Sequence, residues 1–186
     1  MVWSNPILYN LIPTTDSESF RYFNGGDTGL PLPPHLGAFG VKRKYHIHEG
    51  VDLYVPKNTS VFAVEDGIVT QVAPFTGPSV GSEWWNETQA VWIEGESGVV
   101  VYGEIDPSVV LGQFVKAGER IGSVLQVLVK DKGRPMSMLH MELHSHGTTE
   151  SLDWIDDKPD TLQDPTPKLL EILSNNVKEV SNVKSG

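Results

Sequence analysis

The chain has no cysteine. Disulfides and thiolate metal sites are thereby excluded, and any bound metal must rely on His, Asp or Glu. It also has no apolar run of about eighteen residues or more, so no helical membrane span is expected. Basic residues are scarce, with 14 Lys and Arg against 24 Asp and Glu and a formal net charge of −10. Phosphate binding wants clustered cations, so neither nucleic acid nor an anionic membrane surface is expected as a main partner. The single basic knot, Lys42-Arg43-Lys44, reads as a solvated loop before a strand. The first residues, MVWSNPILYN, lack the basic region and apolar core of a secretory signal. Compartment stays open between the cytoplasm as written, export by another route and a phage source. Composition does not fix the oligomeric state.

At 186 residues the chain is long enough for one domain with a sizeable core. Residues 1–45 are rich in Gly, Pro, Asn and aromatics. They read as an irregular segment packed on the domain through Trp3, Phe20, Tyr22 and Phe23. From Gly50 onward, short β-type runs alternate with turn residues: VDLYV (51–55), SVFAV (60–64), GIVTQVA (67–73), AVWIEG (90–95), GVVVYGEI (98–105), ERIGSVLQVLV (119–129) and MLHMEL (138–143). Many β-branched runs at close spacing predict an all-β sandwich or barrel, mostly antiparallel because short hairpins dominate. Long loops at 74–89, with Trp84 and Trp85, and at 145–163, acidic with Trp154, read equally well as binding rims or as covers for core edges. DPTPKLLEIL predicts a short C-terminal helix with Leu169, Leu170, Ile172 and Leu173 on its apolar face. The domain is expected over 46–175 and a frayed tail over 176–186. The sequons at Asn58 and Asn86 are too common a pattern to carry weight.

Histidine is distributed very unevenly. Five of the six fall in two short windows, HIHEGVDLYV (46–55) and SMLHMELHSHG (137–147). Imidazole and carboxylate are the usual zinc ligands of a cysteine-free protein, and catalytic sites take three from the chain. In an extended strand His48 and Asp52 lie ~13 Å apart, so joint ligation requires a bend, which Gly50 permits. A strand over the second window places Met138, His140, Glu142 and His144 on one face and Leu139, Met141 and Leu143 on the other. A helix would pair His140 with His144, but HExxH needs Glu directly after the first His, and here Glu142 is two residues after His140. His35, His46 and His146 read as surface or loop residues, and His144 as a support to the ligands or a rim group.

At these residues the chain resembles the lysostaphin-like (LytM-type) zinc endopeptidases, which cut peptide cross-links in bacterial cell walls. That family opens its site with His-x-Gly-x-Asp, matched here by His48, Gly50 and Asp52. An apolar strand, a turn and Gly-x-Val are similar to VFAVEDGIVTQV. Val115 to Gly122 is similar to the family's V-x-x-G-x-x-I-G turn. Met138 to Glu142 stands where His-x-His-Phe-Glu is expected, and Asp164 to Leu169 where Asp-Pro-x-x-x-Leu follows. The ordered set covers roughly residues 39 to 170. It implies His48, Asp52 and His140 as zinc ligands and a small β barrel-sandwich with a groove across the metal. It implies hydrolysis of peptide or peptidoglycan bonds through a zinc-bound water.

Two positions depart from the family pattern. Its Tyr-x-His reads Tyr102-Gly103-Glu104, and the first histidine of its His-x-His reads Met138. Met138 can neither move a proton nor donate a hydrogen bond. Glu104 can act as general base, and its strand-mates Val100 and Tyr102 are expected on its face. The alternative is a catalytically degenerate zinc-binding domain, a binding or structural module with Glu104 as fourth ligand. A cupin-like barrel, prompted by His46-x-His48, fits Asp52 and His140 less well.

Overall fold

The computed structural model describes residues 1–17 and 26–183, with helix side chains described through Ser174. In chain order the strands are β1 (Asn10–Thr14), β2 (Asp27–Pro31), β3 (Val51–Tyr54), β4 (Ser60–Phe62), β5 (Gly67–Thr76), β6 (Thr88–Gly95), β7 (Gly98–Pro107), β8 (Phe114–Val115), β9 (Arg120–Val124), β10 (Met138–His144) and β11 (Leu162–Gln163). One α-helix among the described residues, α1 (Thr166–Val183), follows, and a 3-10 turn spans Pro78–Val80. The all-β, mostly antiparallel expectation holds. β1 and β2 form a small parallel pair, and the other nine strands form one sheet along the path β11-β10-β7-β6-β5-β8. β3 joins β10, and β9 ties β4 to β7. The sheet does not close into a barrel. Among the described residues no helix is long and apolar enough to cross a membrane.

Side-chain alternation decides where the core sits. Leu139, Met141 and Leu143 of β10 and Val100 and Tyr102 of β7 enter the main core cluster with Val51, Leu53, Ile93 and Ile121. The opposite face of β6 and β7 carries a smaller cluster of Ala90, Trp92, Val99 and Val101, with Ala73 and Phe75 against it. Met138–His144 is thus strand rather than helix, as period-two patterning requires. Trp3, Ile7, Leu11 and Leu30 from the N-terminal segment belong to the main core. The expected packing of Phe20, Tyr22 and Phe23 lies outside the described residues, as do the last three residues of the expected tail.

The C-terminal helix starts where its caps dictate. The Thr166 amide donates to Asp164 Oδ1 at 2.8 Å, and Pro167 stands in the first turn, where its missing N–H has no consequence. Leu169 and Ile172 are buried in the core, and Leu170 and Leu173 pack at its edge.

Candidate metal centre

The two histidine windows meet on neighbouring strands. Asp52 on β3 lies directly opposite His140 on β10 in an antiparallel register. Cross-strand partners stand close enough for side chains to touch, so two polar groups converge without any loop. His48 arrives from the loop ahead of β3. Its backbone is clipped by His48 N–H to Val41 O at 3.0 Å and Gly40 N–H to His48 O at 2.9 Å. The chain bends at Gly50, as the spacing demanded. A Cβ there would sit 2.3 Å from Met141 O and 2.8 Å from the His140 ring, so only glycine fits. The result is a triangle: His140 Nδ1 to Asp52 Oδ1 2.8 Å, His48 Nε2 to Asp52 Oδ1 3.2 Å, and His48 Nε2 to His140 Nδ1 3.3 Å. All three residues are buried.

The outer nitrogens of both rings are engaged, and this aims the inner ones. His48 Nδ1 donates to Ala38 O at 3.0 Å, which leaves Nε2 facing the triangle. His140 Nε2 donates to Glu142 Oε1 at 2.9 Å, which leaves Nδ1 facing it. Glu142 is itself fixed: His144 Nε2 donates to Oε2 at 2.7 Å, and Ser151 Oγ lies 2.8 and 2.7 Å from its two oxygens. His144 Nδ1 reaches Thr161 Oγ1 at 3.2 Å. A carboxylate behind a ligating histidine orients the ring and raises its basicity. His144 therefore stands behind the His48–Asp52–His140 cluster, joined to it through Glu142.

Burial opposes charge throughout, but the network overrides it at several groups. Glu142 is pulled down to about 2 by hydrogen bonds from His140 and His144, against its desolvation. Burial also works against ionised Asp52, yet His48, Arg43 and the hydrogen bond from His140 hold it well below the usual range. His140 is desolvated as well, but hydrogen bonds to Asp52 and Glu142 raise it well above an ordinary histidine. In the metal-free protein it is a cation clamped between two carboxylates, so metal binding must expel the Nδ1 proton. Burial lowers His48, against the pull of Asp52.

Glu104 lies within the electrostatic reach of the same cluster, by a route that simple alternation does not give. Gln89 pairs with Ile105 and Val91 with Tyr102, so Gly103 and Glu104 together oppose Ala90 in a β-bulge. Glu104 has φ 66°, unusual for a residue with a Cβ. Val100, Tyr102 and Ile105 all belong to the main core, and the Tyr102 hydroxyl accepts the Val64 N–H at 2.9 Å. The expectation that Glu104 shares a face with Val100 and Tyr102 is therefore corrected: the bulge breaks the alternation. Glu104 is buried, and its Oε2 has no hydrogen-bond partner among the described residues. Burial, with Asp52 adding to it, pushes the carboxyl up to about 8, while His140 and Arg43 pull the other way.

Other residues complete the surroundings. Met138 is buried on β10 opposite Tyr54, which follows Asp52 by two on β3. The Phe75 ring lies 5.5 Å from the His140 ring, and a Cβ at Gly103 would come within 2.5 Å of it. Glycine at 103 is what lets an aromatic wall stand against His140. The acidic loop docks beside the site: Ile47 N–H donates to Trp154 O at 2.7 Å, Trp154 N–H to Glu49 Oε1 at 2.8 Å, and Phe39 packs on the Trp154 ring. Trp154 therefore covers an edge, whereas Trp84 is exposed.

One reading changes, and one loop residue proves to be buried. Arg43 is not a solvated loop residue: its Nη2 donates to Asp52 Oδ2 at 2.5 Å. Nothing local distinguishes it from Lys42 and Lys44, because its role follows from where the loop folds. His35 is buried rather than on the surface, and its Nδ1 accepts the Gly37 N–H at 2.9 Å. His46 and His146 stay outside the cluster, pairing with Glu49 at 3.8 Å and with Gly95 O at 3.0 Å. Ser151 and Thr161 were not singled out either, since only the folded loop brings them to Glu142 and His144.

Among the described residues, His48, Asp52 and His140 are the group able to hold a metal ion. Two nitrogens and one oxygen, each supported from behind, are the donor set zinc takes in catalytic sites.

Comparisons with known proteins agree with this geometry. The model of "Peptidase family M23" matches residues 46–152, more than half of the chain. No curated protein matched. Among solved structures the chain is similar to LytU, at 21% identity and TM-score 0.51, covering 81% of this chain and 89% of that one. It is similar to "the antimicrobial peptidase lysostaphin from Staphylococcus simulans", at 21% identity and TM-score 0.50, covering 73% of this chain and 48% of that one. The chain thus spans about half of that longer lysostaphin chain, and 88% of its catalytic domain as solved alone. At such identities the likeness is one of fold.

Proposed function

This chain belongs to peptidase family M23, and on that premise we propose that it is a zinc-dependent endopeptidase domain acting on peptide bonds, peptidoglycan cross-links among them. One observation carries the reading: His48 Nε2, Asp52 Oδ1 and His140 Nδ1 converge within 3.3 Å of one another, with both outer ring nitrogens held by acceptors. When bound there, zinc supplies Lewis acidity that polarises a carbonyl and acidifies water. His48 and His140 bind through fixed nitrogens, so little ordering remains to be done on loading. Glu142 keeps the His140 ring in place and its Nε2 proton engaged.

Glu104 is the proton carrier in this proposal. Its Oε2 takes a proton from the attacking water and returns it to the leaving amine. A carboxyl raised to about 8 sits close to neutrality, where both transfers are feasible. Added positive charge at the ligand cluster favours the ionised, proton-accepting form. The buried Oε2 without a partner is the acceptor available for this work.

The test is a zinc titration of the full chain followed by cleavage of a fluorogenic peptide panel. One equivalent of zinc, cleavage dependent on it, and loss of both in His48→Ala are expected. Zinc bound without cleavage would instead support the non-catalytic zinc-binding domain. Absence of stoichiometric zinc binding would remove both readings.

A further inference from the structure

We propose that Arg43 supplies the hydrogen-bond donor for the developing oxyanion, the task that Met138 cannot perform; this rests on the zinc-peptidase reading above. Arg43 sits in the loop that leads to His48, closed by Arg43 N–H to His46 O at 2.8 Å and by the bridge between Lys42 and Ile47. Its guanidinium is turned inward and anchored. Nε and Nη2 donate to Leu36 O at 3.0 and 2.8 Å, and Nη2 also reaches Asp52 Oδ2.

The carboxylate of Asp52 is thereby divided. Oδ1 faces His48 and His140, while Oδ2 faces the guanidinium. The cation is thus separated from the ligand cluster by a single carboxylate group. Both Nη1 hydrogens have no partner among the described residues. The Arg43 side chain is 28% exposed while that of Asp52 is 4% exposed, so the cation stands at the border between solvent and the buried cluster. Burial works against the charged form of Arg43, but the charge of Asp52 and its hydrogen bond raise the guanidinium above its ordinary value. The guanidinium therefore adjoins the ligand set directly, through Asp52.

The chemistry suits the position. A fixed fork with two unused N–H groups fits a tetrahedral oxyanion, and preorganised donors aimed at developing charge carry much of the rate in acyl-transfer reactions. Met138, on the ligand face of β10, has no donor to offer. Lys44 sits one residue along the same loop, but its ammonium lies over the Tyr45 ring at 5.0 Å from the centroid.

Inorganic phosphate, a tetrahedral anion, is the probe. Phosphate binding to the zinc-loaded full chain is measured by calorimetry for wild type, Arg43→Gln, Arg43→Lys and Lys44→Gln, beside zinc affinity and peptide cleavage. Arg43→Gln is expected to weaken phosphate about tenfold or more and to lower kcat on the order of 10²–10³, with KM and zinc affinity little changed. Arg43→Lys should keep part of both, and Lys44→Gln should match wild type. If Arg43→Gln does not fold, a wild-type phosphate affinity and kcat in Arg43→Lys overturn the proposal. Unchanged phosphate binding and kcat in zinc-loaded Arg43→Gln also overturn it. So does a loss confined to zinc affinity, which would make Arg43 a positioning residue for Asp52. Failure of the wild type to bind zinc sinks the underlying reading, and the first titration alone reveals it.

Discussion

Replacing Glu142 by Gln isolates the support behind His140. The carboxylate accepts from His140 Nε2 at 2.9 Å and from His144 Nε2 at 2.7 Å, with Ser151 Oγ on both oxygens. The amide keeps the shape and one acceptor. If its oxygen stays on His140, its NH2 meets His144, whose proton must move from Nε2 to Nδ1. Thr161 Oγ1 at 3.2 Å can accept that proton, so the fold should tolerate the change. What is lost is the negative charge behind the ligand. Removing such partners typically weakens metal binding about 10- to 100-fold, which is roughly 1.4–2.7 kcal/mol. Glu142→Ala should exceed this, because the buried His140 N–H is then left unpartnered, a penalty of about 1–3 kcal/mol. Competition with a chromophoric chelator near neutral pH measures zinc affinity, and thermal unfolding checks the fold. A Glu142→Gln affinity within about threefold of wild type, in a protein of unchanged stability, would refute the reasoning that this carboxylate tunes His140.

The remaining expectations concern the proton carrier, pH and the core. Glu104→Gln should abolish cleavage and spare zinc affinity if Glu104 is the base; weakened zinc binding, with no peptidase activity to lose, would make it the fourth ligand instead. In the metal-free protein the Glu142 pKa is depressed, from 4.5 to about 2. Its contribution to stability is therefore fully present above about pH 4.5 and lost as pH falls through about 2. Urea denaturation across that window should show a steeper acid loss in wild type than in Glu142→Gln, and parallel slopes would contradict the assignment. Leu139→Ala, in the main core, should destabilise by about 2–5 kcal/mol in chemical denaturation. Tyr102→Phe leaves the buried Val64 N–H without its acceptor and should cost about 1–3 kcal/mol while sparing zinc affinity.

Much of this protein was determined locally, and those parts are legible in the sequence. The alternation in Met138 to His144 fixed which side chains face the core, because a strand has a period of two and an apolar face must be buried. The spacing of His48, Gly50 and Asp52 required a bend, and glycine marked it. Tertiary structure decided the rest. The bulge at Gly103 and Glu104 breaks the same alternation, since one strand carries an extra residue opposite Ala90 and only the pairing reveals it. The groups that complete the site come from loops: Arg43 on Asp52, and Ser151 and Thr161 on Glu142 and His144. Loop positions carry no periodicity, and a polar side chain in a loop looks alike in sequence whether it meets water or a buried carboxylate. That His35 is buried within its loop was illegible for the same reason. Burial is a property of what packs around a residue, and that is settled only when distant segments meet.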